Sequence, residues 1–82
     1  MSLEKLVYMA NQISKFFTGQ ARDQAVDGTA DHIRRFWDPR MRTQIFAHLD
    51  QGGAGLDAVA RAALTRLKEE TQLTAKSATD RN

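Results

Sequence analysis

The chain's only proline lies within HIRRFWDPRMR, residues 32–42, and this segment decides how the fold is organised. Proline disfavours the α conformation in the residue before it, so a helix that enters the segment has to end by Trp37. The Asp38 side chain can then accept a hydrogen bond from the free amides of the next helix. Pro39 suits the first helical position because its missing N–H has no role there. The segment therefore predicts two helices that meet at a tight corner.

Polar stretches and glycines divide the rest of the chain into further helical segments. Apolar residues recur at the three-to-four-residue spacing of amphipathic helices, and no segment alternates apolar and polar residues as a strand does. The sequence predicts an all-α fold, a small bundle of about four short helices with a flexible C-terminal tail. Asp57 is the expected cap of the last helix, and Gly28 indicates a weak helix or a close approach by a neighbour. The predicted helices cover residues 3–18, 23–37, 39–51 and 57–72.

Length and composition limit the class of protein. The 82 residues carry a net charge of +2 and contain no cysteine, which excludes disulfides, iron–sulfur ligation and thiol chemistry. We expect one helical domain over residues 1–70, and a frayed or disordered tail over residues 71–82. A chain this short has a marginal core, so close helix packing or a partner protein has to stabilise it. No apolar run approaches the roughly 20 residues of a membrane span, and we expect a cytoplasmic protein.

The sequence offers no constellation typical of catalysis or of metal binding. His32 and His48 do not have the i, i+4 spacing of a helical metal site, and they are interpreted as satisfied histidines on the surface or at the edge of the core. Residues 52–55 share only their glycine content with a phosphate-binding loop and are interpreted as a flexible linker. We therefore expect no catalytic residue, no metal site and no cofactor bound by this chain.

Four arginines and two large aromatic residues are concentrated around the proline. Arginine matches carboxylate and phosphate geometry, and both arginine and tryptophan are enriched at interface hot spots. Two interpretations remain open: Phe36 and Trp37 anchor the core beside solvated arginines, or the segment docks an acidic protein or a phosphate-bearing ligand. We call the four arginines the arginine corner: Arg34, Arg35, Arg40 and Arg42.

Two more aromatic residues lie away from the predicted core stripes of their helices. Tyr8 is nearly opposite the stripe of the first helix, and Phe46 is roughly 100° from that of the third. They either wrap around a helix edge or mark a second contact patch. The predicted partner-binding residues are therefore Arg34, Arg35, Trp37, Arg40, Arg42, Tyr8 and Phe46.

Two alternative functions follow from the same residues. The helix that starts at Pro39 would present Arg40, Arg42 and Thr43 to nucleic acid, although a net charge of +2 is weak for that role. The apolar arc of the first helix is wider than one neighbouring helix needs, which favours a protein partner of some kind. That partner could be a second copy of the chain, bound through this arc and Phe46.

Three blocks of the sequence resemble one family. Residues 5–13, KLVYMANQI, followed by Phe16 and Phe17, are similar to the opening of the delta subunits of cytoplasmic NAD-dependent formate dehydrogenases. Residues 30–42, ADHIRRFWDPRMR, resemble the central signature of that family and are the most specific block. Residues 55–57 and the alanine- and leucine-rich helix after them resemble its third block. The resemblance extends from about Leu3 to Leu67.

The resemblance implies a small accessory subunit that assists assembly, stability or cofactor maturation in a molybdenum- or tungsten-dependent complex. Such complexes oxidise formate to carbon dioxide and pass the electrons to NAD. Their larger subunits, the implied partners, are expected to carry the pterin-bound metal, iron–sulfur clusters and FMN. No catalytic residue is implied for this chain. The arginine corner would then meet an acidic protein surface or the phosphates of a pterin dinucleotide.

Overall fold

The structure is a computed structural model that describes the backbone of residues 2–80 and the side chains of residues 2–73. It contains four α-helices, and no strand occurs between residues 2 and 80. The predicted all-α bundle is therefore confirmed. The helices are α1 (Leu3–Phe16), α2 (Arg22–Phe36), α3 (Pro39–Asp50) and α4 (Ala58–Asp80).

The largest difference from the predicted boundaries is at the end of α4. The sequence predicts an end near Gln72, whereas the helix continues to Asp80. Neither glycine nor proline occurs after Gly55, so nothing in the sequence interrupts the helical backbone there. Residues 81 and 82 lie outside the described part of the chain, and the frayed or disordered tail predicted for residues 71–82 stays a prediction.

The helices alternate in direction along the bundle. Phe17, just after α1, lies over Gly28 in the middle of α2, whereas Met9 in the middle of α1 lines the same groove as Phe36 at the end of α2. The first two helices are therefore antiparallel. Two ion pairs join α2 to α4 in the same order along both helices, Asp27 to Arg66 and Arg34 to Glu70, so these two helices are parallel.

The core combines large aliphatic residues with alanines that allow close helix approach. The sequence predicts a core stripe of four residues in the second helix, and all four are buried: Val26, Ala30, Ile33 and Trp37. Its predicted stripe in the fourth helix is buried except for Val59: Val59, Ala60, Ala63, Leu64 and Leu67. Because alanine adds little width, the backbones of neighbouring helices can lie close together. The buried core consists of Leu6, Ala10, Val26, Ala30, Ile33, Trp37, Ile45, Leu56, Ala60, Ala63, Leu64 and Leu67.

A polar cluster fixes the start of α4 against α1. The Asp57 side chain accepts a hydrogen bond from the Ala60 amide at 2.8 Å, so the predicted cap is confirmed. Its other carboxylate oxygen accepts one from the buried hydroxyl of Ser14. The Asp57 amide in turn donates to the Asn11 side chain at 2.9 Å. These bonds set the position of α1 against the start of α4.

Side chains also hold the glycine-rich loop between α3 and α4. The Arg61 guanidinium donates to the carbonyl oxygens of Gly52 at 2.7 Å and Gly53 at 3.0 Å. The His48 ring lies 2.8 Å from the Ala54 carbonyl oxygen. The Asn11 side chain also donates to the Gly55 carbonyl oxygen at 2.8 Å, so four side-chain hydrogen bonds hold the loop. The interpretation of these residues as a flexible linker did not anticipate them.

Gly28 lies directly under the Phe17 ring, and a Cβ atom added at Gly28 would be only 2.6 Å from that ring. We expect Gly28→Ala to stabilise a Phe17→Ala variant by about 1 kcal/mol through helix propensity. In the wild-type background the same change displaces the Phe17 ring and loses most of that gain. A double-mutant cycle in urea measures the difference. Equal effects in both backgrounds would show that the ring and the glycine are not coupled.

Candidate protein-interaction surface

Two aromatic residues that are adjacent in the chain, at the end of α2, differ in exposure to solvent. Trp37 has an extended backbone, with φ −88° and ψ 135°, and its side chain is buried. The Asp38 carboxylate accepts a hydrogen bond from the Met41 amide at 2.9 Å, and Pro39 is the first residue of α3. The predicted corner is confirmed. Phe36, one residue earlier, still belongs to α2, and its side chain is 70% exposed.

Two arginines of the corner make hydrogen bonds within the bundle. The Arg34 guanidinium donates to both carboxylate oxygens of Glu70 on α4, at 3.1 and 2.9 Å. The Arg42 guanidinium donates to the Arg34 carbonyl oxygen at 3.1 Å, in the last turn of α2. These bonds fasten the end of α2 to both α3 and α4. Arg34 and Arg42 therefore help to hold the three helices in place around the corner.

The other two arginines face outward. Arg35 forms an ion pair with Asp31 on its own helix, at 3.1 Å, and its side chain is 69% exposed. Arg40 is exposed in the first turn of α3, and none of the ion pairs formed by residues 2–73 involves it. Arg34 is also exposed, over 44% of its side chain, but Glu70 on α4 engages its guanidinium. Arg35 and Arg40 are the corner arginines that no other helix engages within residues 2–73, so they are the first candidates to meet another molecule.

An apolar groove beside the corner has a volume of about 440 Å³. We call it the aromatic groove. The side chains of Tyr8 and Phe36 are 63% and 70% exposed, and the buried Trp37 also belongs to its lining. The His32 ring lies 4.7 Å from the Phe36 ring, centroid to centroid. The groove is lined by Tyr8, Met9, Gln12, Ile13, His32, Phe36, Trp37 and Met41.

The structure separates the two off-stripe aromatic residues. Tyr8 lines the aromatic groove, whereas Phe46 is partly buried, packs against the core and does not line the groove. The groove also contains residues that the sequence did not single out as partner-binding, among them His32, Phe36 and Met41. The wide apolar arc of α1 indicated that this helix has surplus apolar surface. Only the placement of α2 and α3 beside α1 shows which of their residues border that surface.

A second group of arginines lies near the start of α4, where a cleft of about 600 Å³ is lined in part by Arg22, Arg61 and Arg66. Arg66 forms an ion pair with Asp27, and Arg61 holds the glycine-rich loop as described above. Most of this positive charge therefore already has a partner within the bundle.

The described residues contain neither a metal-binding cluster nor a membrane-spanning helix. Within residues 2–73, no three His, Cys, Asp or Glu side chains are close enough together to hold a metal ion. Among the described residues, no helix has both the length and the apolar character needed to cross a membrane.

The fold and this surface define a small all-α domain in which two exposed aromatic side chains, Tyr8 and Phe36, line one groove. In a comparison with known families, the model for the NADH-dependent formate dehydrogenase delta subunit FdsD matches residues 5–64. The match covers most of the 82 residues, and the chain belongs to this family. No curated protein and no solved structure matches the chain.

The family match confirms the resemblance seen in the sequence. Residues 5–64 contain α1, except for its first two residues, all of α2 and α3, and the start of α4. The aromatic groove and the four arginines of the corner therefore all lie within the matched part. Glu70, which holds Arg34, lies beyond it.

Proposed function

We propose that this delta subunit is a non-catalytic accessory subunit that binds the larger subunits of formate dehydrogenase. The aromatic groove is the observation that carries the proposal. Exposed aromatic side chains around a buried tryptophan are unusual on a small domain that functions alone, and they are frequent at the centre of protein interfaces. Covering Tyr8 and Phe36 with a partner would remove their apolar surface from water, which favours association.

Binding of this kind would support assembly, stability or maturation of the pterin–metal cofactor in the larger subunits. A partner that binds only the folded form of the chain stabilises that form. By the same linkage, the chain stabilises the folded form of the partner's docking surface. In this proposal the larger subunits carry the redox groups. The absence of cysteine from the sequence supports this division, because iron–sulfur clusters are held mainly by thiolates.

The outward-facing arginines add charge to the proposed interface. Arg35 and Arg40 are exposed close to the groove residues Phe36 and Met41 in the chain, so an acidic surface of the larger subunit would meet both. Charges at the rim of an interface speed association and select the partner. Arg34 and Arg42 have a different role in the proposal, since they hold the corner in shape.

Charge reversal tests this part of the proposal. We expect the Arg35→Glu/Arg40→Glu variant to bind the larger subunits about tenfold more weakly while it remains helical, because two favourable rim interactions become repulsive. The measurement is surface plasmon resonance with the larger subunits immobilised, with circular dichroism as the check on folding. Arg42 is left intact because its replacement would also remove a hydrogen bond at the end of α2.

The matched control reverses the same amount of charge at the opposite end of the bundle. Lys15 is in the last turn of α1 and Arg22 is in the first turn of α2, and both are exposed. We expect Lys15→Glu/Arg22→Glu to retain wild-type affinity. Equal weakening by both double variants would show a general charge effect, and unchanged binding by the first would remove the arginines from the interface.

A further inference from the structure

The exposed apolar surface of α1 extends past the aromatic groove in a regular row. Met9 and Ile13 line the groove, and Phe16 lies one turn beyond them with its side chain 82% exposed. Their spacing is i, i+4 and i+7, which places the three side chains on one face of the helix. Seven residues of α-helix span about 10 Å. The row thus forms a strip between α1 and α2 rather than an isolated pocket.

The shape of this strip favours a helix as its occupant. Two antiparallel helices leave a furrow between them that accepts the ridge of side chains from a third helix. A β-strand would instead need unpaired backbone groups at a sheet edge, and no strand occurs between residues 2 and 80. An amphipathic helix can place apolar side chains over Met9, Ile13 and Phe16 and keep its polar face in water.

The charges indicate what one end of that helix carries. Each of the three helices around the groove has an exposed basic residue near the same end of the bundle: Lys5, Arg35 and Arg40. Arg34 on α2 is exposed too, but its guanidinium already pairs with Glu70 on α4. Lys5 lies four residues before Met9 and so shares its face of α1. Carboxylates at the facing end of the bound helix would complement this charge.

We propose that the aromatic groove takes one amphipathic α-helix of a larger formate dehydrogenase subunit, which packs along α1 and α2 as a fifth helix with its acidic end against the three basic residues. The inference rests on the proposed function and adds the secondary structure, position and polarity of the partner element. Tyr8 and Phe36 would contact the apolar face of this helix.

Site-specific photo-crosslinking in the complex tests the proposal. A benzophenone amino acid is placed in turn at Tyr8, Gln12 and Phe16, which are exposed on one side of α1 at four-residue intervals. Each step advances about 6 Å along α1. The matched control position is Thr43, which is exposed on α3 and does not line the groove. The tagged chain is purified with the larger subunits, irradiated, and its crosslinked peptides are identified by mass spectrometry.

A helical occupant gives a defined register. We expect the three α1 positions, two in the groove and Phe16 one turn beyond it, to crosslink to one segment, with the crosslinked residue moving by about four positions per step. An extended segment would move by about two positions per step, since a strand rises about 3.3 Å per residue. Crosslinks with that smaller shift, spread over several segments, or confined to Thr43 would overturn the proposed helix while the complex itself remains intact.

Two further outcomes separate this inference from the proposed function. If the wild-type chain does not purify with the larger subunits, the proposed function fails and the inference fails with it. If the α1 positions crosslink to a second copy of the chain, the occupant is a homodimer partner and the proposed helix of a larger subunit is wrong. A dilution series with mass measurement confirms that second outcome.

Discussion

Replacement of Trp37 by alanine is expected to lower the free energy of unfolding by about 3–5 kcal/mol. The Trp37 side chain is only 4% exposed and belongs to the buried core where α2 ends and α3 begins. Its loss leaves a cavity that the surrounding helices fill only in part. A domain of this size has a total stability of about 4–12 kcal/mol, so the variant should be partly unfolded at 37 °C. Urea unfolding followed by circular dichroism at 222 nm measures the change.

The neighbouring aromatic residue provides the matched control. Phe36 is adjacent to Trp37 in the chain but is 70% exposed, so we expect Phe36→Ala to change the stability by no more than about 0.5 kcal/mol. Trp37→Phe retains an apolar ring and should cost about 1–2 kcal/mol. If Trp37→Ala and Phe36→Ala lower the free energy of unfolding by similar amounts, then Trp37 is not buried and Phe36 exposed as the structure has them.

Local chemistry explains what the sequence could predict. Proline restricts the residue before it, and aspartate caps the helix after it, so the corner at Asp38 and Pro39 needs only neighbouring residues to form. The same is true of the Asp57 cap, and both are confirmed. The four helices follow from the apolar spacing, which is also a local signal. Family membership was likewise visible in short stretches of residues.

Contacts between residues distant in the chain explain what the sequence could not predict. Arg34 and Glu70 are 36 positions apart, and only the parallel placement of α2 and α4 brings their charges together. The four arginines look equivalent in the sequence, yet Glu70 and a backbone carbonyl oxygen engage two of them. The groove likewise depends on how α1 lies against α2. Phe36 and Trp37 differ because the backbone leaves the helical conformation between them.

The partner-binding role of the predicted residues stays a prediction, and the structure changes the reason for each. Arg35 and Arg40 can meet another molecule directly, whereas Arg34 and Arg42 would act by holding the corner. Phe46 packs against the core, so its effect on binding would be indirect. Tyr8 remains the strongest candidate from the sequence, because its exposed ring lines the groove.

Truncation of both exposed aromatic residues should therefore have the largest effect on binding. We expect the Tyr8→Ala/Phe36→Ala variant to lose at least about 100-fold in affinity for the larger formate dehydrogenase subunits, since truncating each interface hot spot costs about 2 kcal/mol or more. Its stability as an isolated chain should change by less than about 1 kcal/mol, because both side chains are already largely exposed. Isothermal titration calorimetry with the larger subunits measures the affinity.

Truncation of an exposed apolar side chain outside the groove is the matched control. It tests whether the loss of affinity depends on where the side chain lies or only on its hydrophobicity. Leu73 is another large apolar side chain with similar exposure, 65%, but it belongs to α4 and does not line the groove. We expect Leu73→Ala to bind with wild-type affinity. If Leu73→Ala weakens binding as much as the double variant does, the interface is not confined to the groove. If the double variant binds normally, the two rings do not contact the larger subunits, and their exposure needs another explanation.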